Sequence, residues 1–189
     1  MPFGSSGYGR SGKPKPFLDE TGLHDYALKS LGRRMRTEVE LRRLMRTRVE
    51  PEETGTAKID AVIRRLKEYG YLNDQSFAET YTRLRQENEK FGQRRVRQDL
   101  QQKGVAQPII DETIDARYAE LSEETLVRQH LERKRLRKPE NEKETARIMR
   151  RLVAAGFSTG TIYKVLRQWD VPDESLAGLD SLNEDATGE

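Results

Sequence analysis

Gly70-Tyr71-Leu72-Asn73-Asp74-Gln75-Ser76-Phe77-Ala78-Glu79-Thr80-Tyr81 is a helix stop followed at once by a helix start. Before it, Ile59, Val62, Ile63, Leu66 and Tyr69 recur at three- and four-residue spacing, the pattern of a helix with one buried face. Gly70 can take the left-handed conformation that ends such a helix. Tyr71 and Leu72 are expected to be buried in the corner. Asn73 or Asp74 can accept hydrogen bonds from the open amides of the next helix. Phe77, Ala78 and Tyr81 then start a new apolar face, with Ala78 small enough for close helix approach. The stretch predicts a helix–corner–helix joint between two helical units.

The same alternation of apolar stripes and stops runs along most of the 189 residues. Leu23, Tyr26, Ala27 and Leu31 make a first face. Thr37-Glu38-Val39-Glu40 reads as a capping box, Thr37 as cap and Glu40 reaching back. Leu41 and Met45 follow, and Pro51 stops that helix. Further helices are predicted at about 73–89, 93–103, 107–117, 122–137, 140–155 and 159–168. No segment shows sustained period-two alternation, so the fold class is all-α. The nine helices fall into threes. In the middle helix of each three, Leu41/Met45/Val49, Val96/Leu100/Gly104 and Ile148/Leu152/Gly156 align. Gly104 and Gly156 read as C-caps, while Val49 requires the first repeat to end its second helix differently.

Here the residues resemble a family. Tyr69 to Asp74 followed by Phe77-Ala78 is similar to the "GYLnDerFA" signature of the RecX regulatory proteins. Tyr26-Ala27-Leu28 with Leu31 and Arg34 to Thr37 resembles that family's "yAl..L..RprS", and Glu40 to Arg43 its "ELrr". Gly92 to Leu100 with Lys103-Gly104-Val105 resembles "Gprrirqel..KGv", and Gly156-Phe157-Ser158 resembles "GFs". The resemblance covers about 23–169. It implies three tandem three-helix repeats in an elongated, curved array. It also implies a regulator of the RecA recombinase that lodges in the groove of its filament on DNA and inhibits ATP hydrolysis and strand exchange.

Composition agrees with a repeat array. Hydrophobic residues are 34% and charged residues 35%, lean for one globular core but suited to narrow helical stripes. There is no cysteine, which excludes thiolate chemistry and fits a reducing cytoplasm. No apolar run approaches a membrane span. Net charge is +3, unevenly placed: three basic residues precede Asp19, seven acidic residues follow Arg167, and residues 19–167 carry +7. The expected layout is a flexible basic arm (1–18), repeats at 19–70, 71–120 and 121–170, and an acidic, disordered tail (171–189). Gly7 to Lys13 matches the start of a phosphate-binding loop, but Pro14 stands where a hydroxyl is needed, so it reads as part of the arm.

No catalytic constellation is present. His24 and His130 are the only histidines, far apart in sequence, so neither a metal site nor a cofactor is expected. The candidate functional surface is basic. Arg42, Arg43 and Arg46 line the middle helix of repeat one. Arg94, Arg95, Arg97 and Lys103 occupy the same helix of repeat two. Arg133, Lys134 and Arg135 lie in repeat three, with Arg147, Arg150 and Arg151 on its middle helix. Any one cluster is commonly a solvated face, but recurrence on equivalent helices predicts a strip that attracts phosphates and acidic protein surfaces. The expected partners are the recombinase filament and, weakly and without sequence preference, single- and double-stranded DNA, bound by a monomer. The alternative is a direct DNA binder whose Ala155 to Thr159 turn serves a helix-turn-helix. Tyr71, Leu72, Asp74, Phe77 and Ala78 are read as the structural joint.

Overall fold

The computed structural model describes residues 16–169 and Val171. The expected N-terminal arm up to Lys15, with its Gly7 to Lys13 loop, and the tail from 172 lie outside the described residues. Among the described residues there are nine α-helices and no strand. They are α1 (Glu20–Leu31), α2 (Glu38–Arg46), α3 (Glu53–Glu68), α4 (Asp74–Leu84), α5 (Gln93–Gln102), α6 (Gln107–Tyr118), α7 (Glu123–Arg133), α8 (Glu142–Ala154) and α9 (Thr159–Arg167). A π-helical turn, Arg85–Glu89, extends α4. The chain forms two compact units, one of residues up to Arg34 plus Leu41–Tyr71, the other of Met35–Glu40 plus Leu72 onward.

In the first unit α1 packs on α3. Leu23, Ala27, Leu41, Met45, Ile59, Val62, Ile63 and Leu66 are buried, the apolar stripes seen in the sequence. Asp19 caps α1 by accepting the Gly22 amide at 2.8 Å. α2 ends without a left-handed residue: Val49 is buried, and a Cβ on Gly55 would stand 2.0 Å from the Glu50 carbonyl oxygen. The absent glycine of the first repeat is therefore matched by close approach of α3 to the chain just after α2.

The second unit holds two three-helix sets. Phe77, Ala78, Val96, Leu100, Val105, Ile110 and Ile114 form the core of α4–α6. Leu126, Val127, Leu131, Ile148, Met149, Leu152, Phe157, Ile162, Val165 and Leu166 form that of α7–α9, with Val171 closing it. Phe91 and Tyr118 pack against both clusters. Burial pushes the Tyr118 phenol well above its ordinary value, which keeps it a donor to the Phe91 carbonyl at 2.8 Å.

Helix ends follow one local rule. Gly70, Gly104 and Gly156 have φ of 72°, 78° and 88°. In each case the next amide reaches back five residues: Tyr71 N to Leu66 O, Val105 N to Leu100 O, Phe157 N to Leu152 O. Arg135 occupies the same position after α7 with φ 53°, and Leu136 N donates to Leu131 O at 2.9 Å. This corrects the expected helix to 137. α7 stops at Arg133, because a non-glycine residue takes the left-handed turn that sequence reading reserves for glycine.

Candidate functional site

The joint is built differently from its sequence reading in two places. Leu72, Phe77 and Ala78 are buried as expected, Phe77 stacking on Tyr81 with ring centroids 5.8 Å apart. Tyr71 is not: it is 60% exposed. The left-handed turn at Gly70 directs successive side chains apart, and Leu72 alone goes inward. Asp74 is a cap, but not of its own helix. Asn73 caps α4 by accepting the Ser76 amide at 3.0 Å. Asp74 Oδ1 accepts the Glu38 amide at 2.9 Å and so caps the first turn of α2.

That first turn is held from a third side. Thr37 is fully buried; its Oγ1 accepts the Glu40 amide at 3.1 Å and donates to the Lys103 carbonyl at 2.6 Å. The Glu40 carboxylate, expected to reach back to Thr37, is held by Lys103 Nζ at 3.0 Å. A Cβ on Gly104 would meet Val39 at 2.6 Å. The same device recurs at the other end of α5. The Gly92 amide donates to the Ala155 carbonyl at 2.9 Å, and a Cβ on Gly92 would lie 2.3 Å from the Gly156 oxygen. Within the second unit, the start of an earlier middle helix thus sits on the glycine end of the next one. A terminal carbonyl of the next middle helix is taken up in both cases, by the Gly92 amide at one joint and by the Thr37 hydroxyl at the other.

The basic clusters divide into two kinds. In repeat two, Arg95 pairs with Asp99 at 3.0 Å, Arg97 with Asp111 and with Asp115, and Lys103 with Glu40. Asp99 is buried and also accepts from the Tyr81 hydroxyl at 2.9 Å; burial raises the Tyr81 phenol and keeps it a donor. Lys103 Nζ lies 5.3 Å from the Tyr81 ring centroid, in cation–π range. Arg94 is exposed and its charge bears on Glu123. In repeat one, Arg42 pairs with Asp60 at 2.5 Å, while Arg43 and Arg46 are exposed.

Repeat three is different. Arg133 and Lys134 reach Glu89 at 3.6 and 3.0 Å, and Lys134 with its hydrogen bond holds that carboxyl below its ordinary value. Beyond them, Arg135, Arg147, Arg150 and Arg151 are exposed and carry no ion pair among the described residues. Arg147, Arg150 and Arg151 share one face of α8. Arg135, Arg147 and Arg151 border a concavity of about 340 Å³ with Arg137, Lys138, Glu140 and Glu144. The reading of α9 as a recognition helix is weakened by its surroundings. Ile162, Val165 and Leu166 are core, Arg167 lies over Tyr163, and the Gln168 side chain accepts from Arg128 at 2.7 Å.

Sequence reasoning missed Glu123. Its carboxylate accepts the Ser158 amide at 2.8 Å, the Ser158 hydroxyl at 2.6 Å and the Thr161 hydroxyl at 2.5 Å, fastening the start of α9 to α7. Burial alone would raise this carboxyl, yet the three hydrogen bonds and the Arg94 charge hold it below its ordinary value. Nothing local in Glu123-Glu124-Thr125 signals a partner 35 residues away. Among the described residues no His, Cys, Asp and Glu group could hold a metal ion, and no helix is long and apolar enough to cross a membrane.

Three-helix sets with arginine-rich middle helices, two of which end in a left-handed glycine, define a helical repeat protein with a basic surface. A family model for the RecX second three-helix domain matches residues 73–114, which is α4 through α5 and most of α6. The regulatory protein RecX of Mycolicibacterium vanbaalenii is 33% identical over 153 residues, 79% of this chain and 80% of that protein. That of Thermobifida fusca is 30% identical, covering 85% of this chain and 87% of that protein. The crystal structure of RecX from Lactobacillus salivarius shares the fold with a TM-score of 0.59 at 21% identity, covering 80% of this chain and 96% of that one. The chain belongs to the RecX family of regulatory proteins.

Proposed function

We propose that this chain is a negative regulator of a RecA-type recombinase that binds in the groove of the nucleoprotein filament, inhibits its ATPase and strand exchange, and limits its growth. The observation that supports this most is the set of cations around the α8 concavity. Arg135, Arg147, Arg150 and Arg151 have no carboxylate partner among the described residues, whereas Arg95, Arg97 and Lys103 do. Such cations attract a phosphate-rich or acidic surface without desolvating an existing pair. The partner surface is therefore centred on repeat three, with Arg133, Lys134 and Arg94 of the same unit contributing, and exposed Arg43 and Arg46 of the first unit are further candidates for contact. Arg42, Arg95, Arg97 and Lys103 instead serve carboxylates of the chain itself. The division into arm, three repeats and tail belongs to the same reading, as does a monomer in the cytoplasm with weak affinity for bare DNA.

The test is single-stranded-DNA-dependent ATP hydrolysis by the recombinase with and without this protein. Arg147→Ala/Arg150→Ala/Arg151→Ala is expected to lose inhibition at least tenfold with unchanged circular dichroism, and to show a shallower salt dependence of filament binding. Arg94→Ala/Arg95→Ala/Arg97→Ala is expected to lower thermal stability as well, since it strips partners from Asp99, Asp111 and Asp115. Full inhibition by the α8 variant would remove this surface from the mechanism.

A further inference from the structure

Two tyrosines stand out of the corner after α3. Tyr69 is 62% and Tyr71 60% exposed, in an edge-to-face pair with centroids 6.5 Å apart. The left-handed Gly70 between them, and the Tyr71 amide bonded to the Leu66 carbonyl, fix the turn from which both project. The Arg65 guanidinium lies 5.8 Å from the Tyr69 ring centroid, and Arg64, its sequence neighbour, is exposed. The neighbouring aliphatic residues, Leu66 and Leu72, are buried. The exposed carbon of this knuckle is thus aromatic, with the Arg65 cation next to it and its aliphatic sequence neighbours turned inward.

Leaving two large rings in water costs free energy that folding does not recover. Pinning the corner needs only the Gly70 turn and Leu72. A protein-binding patch of ordinary size needs about 800 Å² per partner, with apolar residues around its anchors to exclude water. Two isolated rings provide neither. Rings flanked by cations instead match single-stranded nucleic acid, whose unpaired bases stack on aromatic faces while phosphates meet arginine. The last turns of α3 carry Arg64, Arg65, Lys67 and Glu68, a net +2.

We infer that the Tyr69–Tyr71 knuckle is a stacking platform for unpaired bases of a single strand, with Arg64 and Arg65 meeting the adjacent phosphates. It makes a different kind of contact from the α8 cations, to bases rather than to backbone charge. Its test needs no recombinase, so its failure leaves the regulatory reading untouched.

Binding of the full chain to a fluorescent oligothymidylate is compared with binding to an abasic oligomer of equal length, which keeps the phosphates and lacks the bases. Wild type is expected to bind the thymidylate about tenfold more tightly than the abasic strand. Tyr69→Ala/Tyr71→Ala should erase that difference while leaving abasic affinity unchanged, and Tyr69→Phe/Tyr71→Phe should restore it. Equal affinity of the wild type for both strands overturns the platform. So does an alanine variant that keeps the preference, or one that loses both strands alike. Both tyrosines are exposed, so circular dichroism and urea unfolding should report intact variants.

Discussion

Arg135 is one of two non-glycine residues, with Lys90, that take the left-handed conformation among the described residues. An L-residue in the left-handed region costs about 1–2 kcal/mol, and after α3, α5 and α8 the same turn is made by glycine. Replacing it by glycine removes that strain but loosens the unfolded chain, so the net gain is smaller. Arg135→Gly is expected to stabilise the protein by about 0.5–1 kcal/mol in urea unfolding, and to weaken filament inhibition because a concavity cation is gone. The converse substitution is Gly156→Ala. There φ is 88° and a Cβ would stand 2.3 Å from the Arg95 amide nitrogen, so backbone strain and overpacking combine. A loss of about 3 kcal/mol is expected. A Gly156→Ala protein as stable as wild type would show that the α5–α8 joint can open without cost.

At the scale of elements, the neighbouring caps Asn73 and Asp74 serve different helices. Each single alanine substitution should cost about 1 kcal/mol, but at different places. Hydrogen exchange should speed up at residues 75–77 in Asn73→Ala and at 38–40 in Asp74→Ala. If Asp74→Ala instead loosens α4, the cap across to α2 is not what holds that turn. This pair also marks the limit of sequence reading. Helix stops at Gly70, Gly104 and Gly156 were legible because they depend on one residue and its successor. So were the apolar stripes, which depend on spacing. The target of Asp74, the Thr37–Lys103 bond and the Glu123 clasp were not, because each partner lies 35 to 66 residues away. Tyr71 was misread for a related reason: hydrophobicity alone does not reveal which way a left-handed turn throws the next side chain. Basic clusters were visible in the sequence, yet which arginines are already paired is a property of the fold.

For the whole molecule, acid should act in two stages. His130 is buried, with Nδ1 2.9 Å from the Glu89 carbonyl and Phe91 and Phe157 rings alongside. Burial lowers its affinity for a proton, and nearby Lys134 adds to this against the pull of the Glu89 carbonyl. Below its unfolded value of about 6.5, the unfolded chain takes up a proton that the folded chain resists, so stability falls as pH drops. Glu123 has the same sign in a lower window: its folded carboxyl lies below the unfolded value, so its contribution is lost as pH falls below about 4.5. Urea midpoints measured from pH 7 to 5 should decline in wild type and flatten in His130→Gln. An unchanged slope in His130→Gln would assign the first stage to another group.

The glycine joints also set a timetable for synthesis. Thr37 must find a carbonyl 66 residues later, and Arg95 bonds to the Ala154 carbonyl 59 residues later. At ~5–20 residues per second on a ribosome, each joint stays open for about 3–13 seconds after its first half emerges. The second joint opens at Gly92 shortly before the first closes at Lys103, so each new repeat completes the one made before it. A pause or a premature stop inside repeat three would strand α5 with the bare backbone of Gly92 facing water.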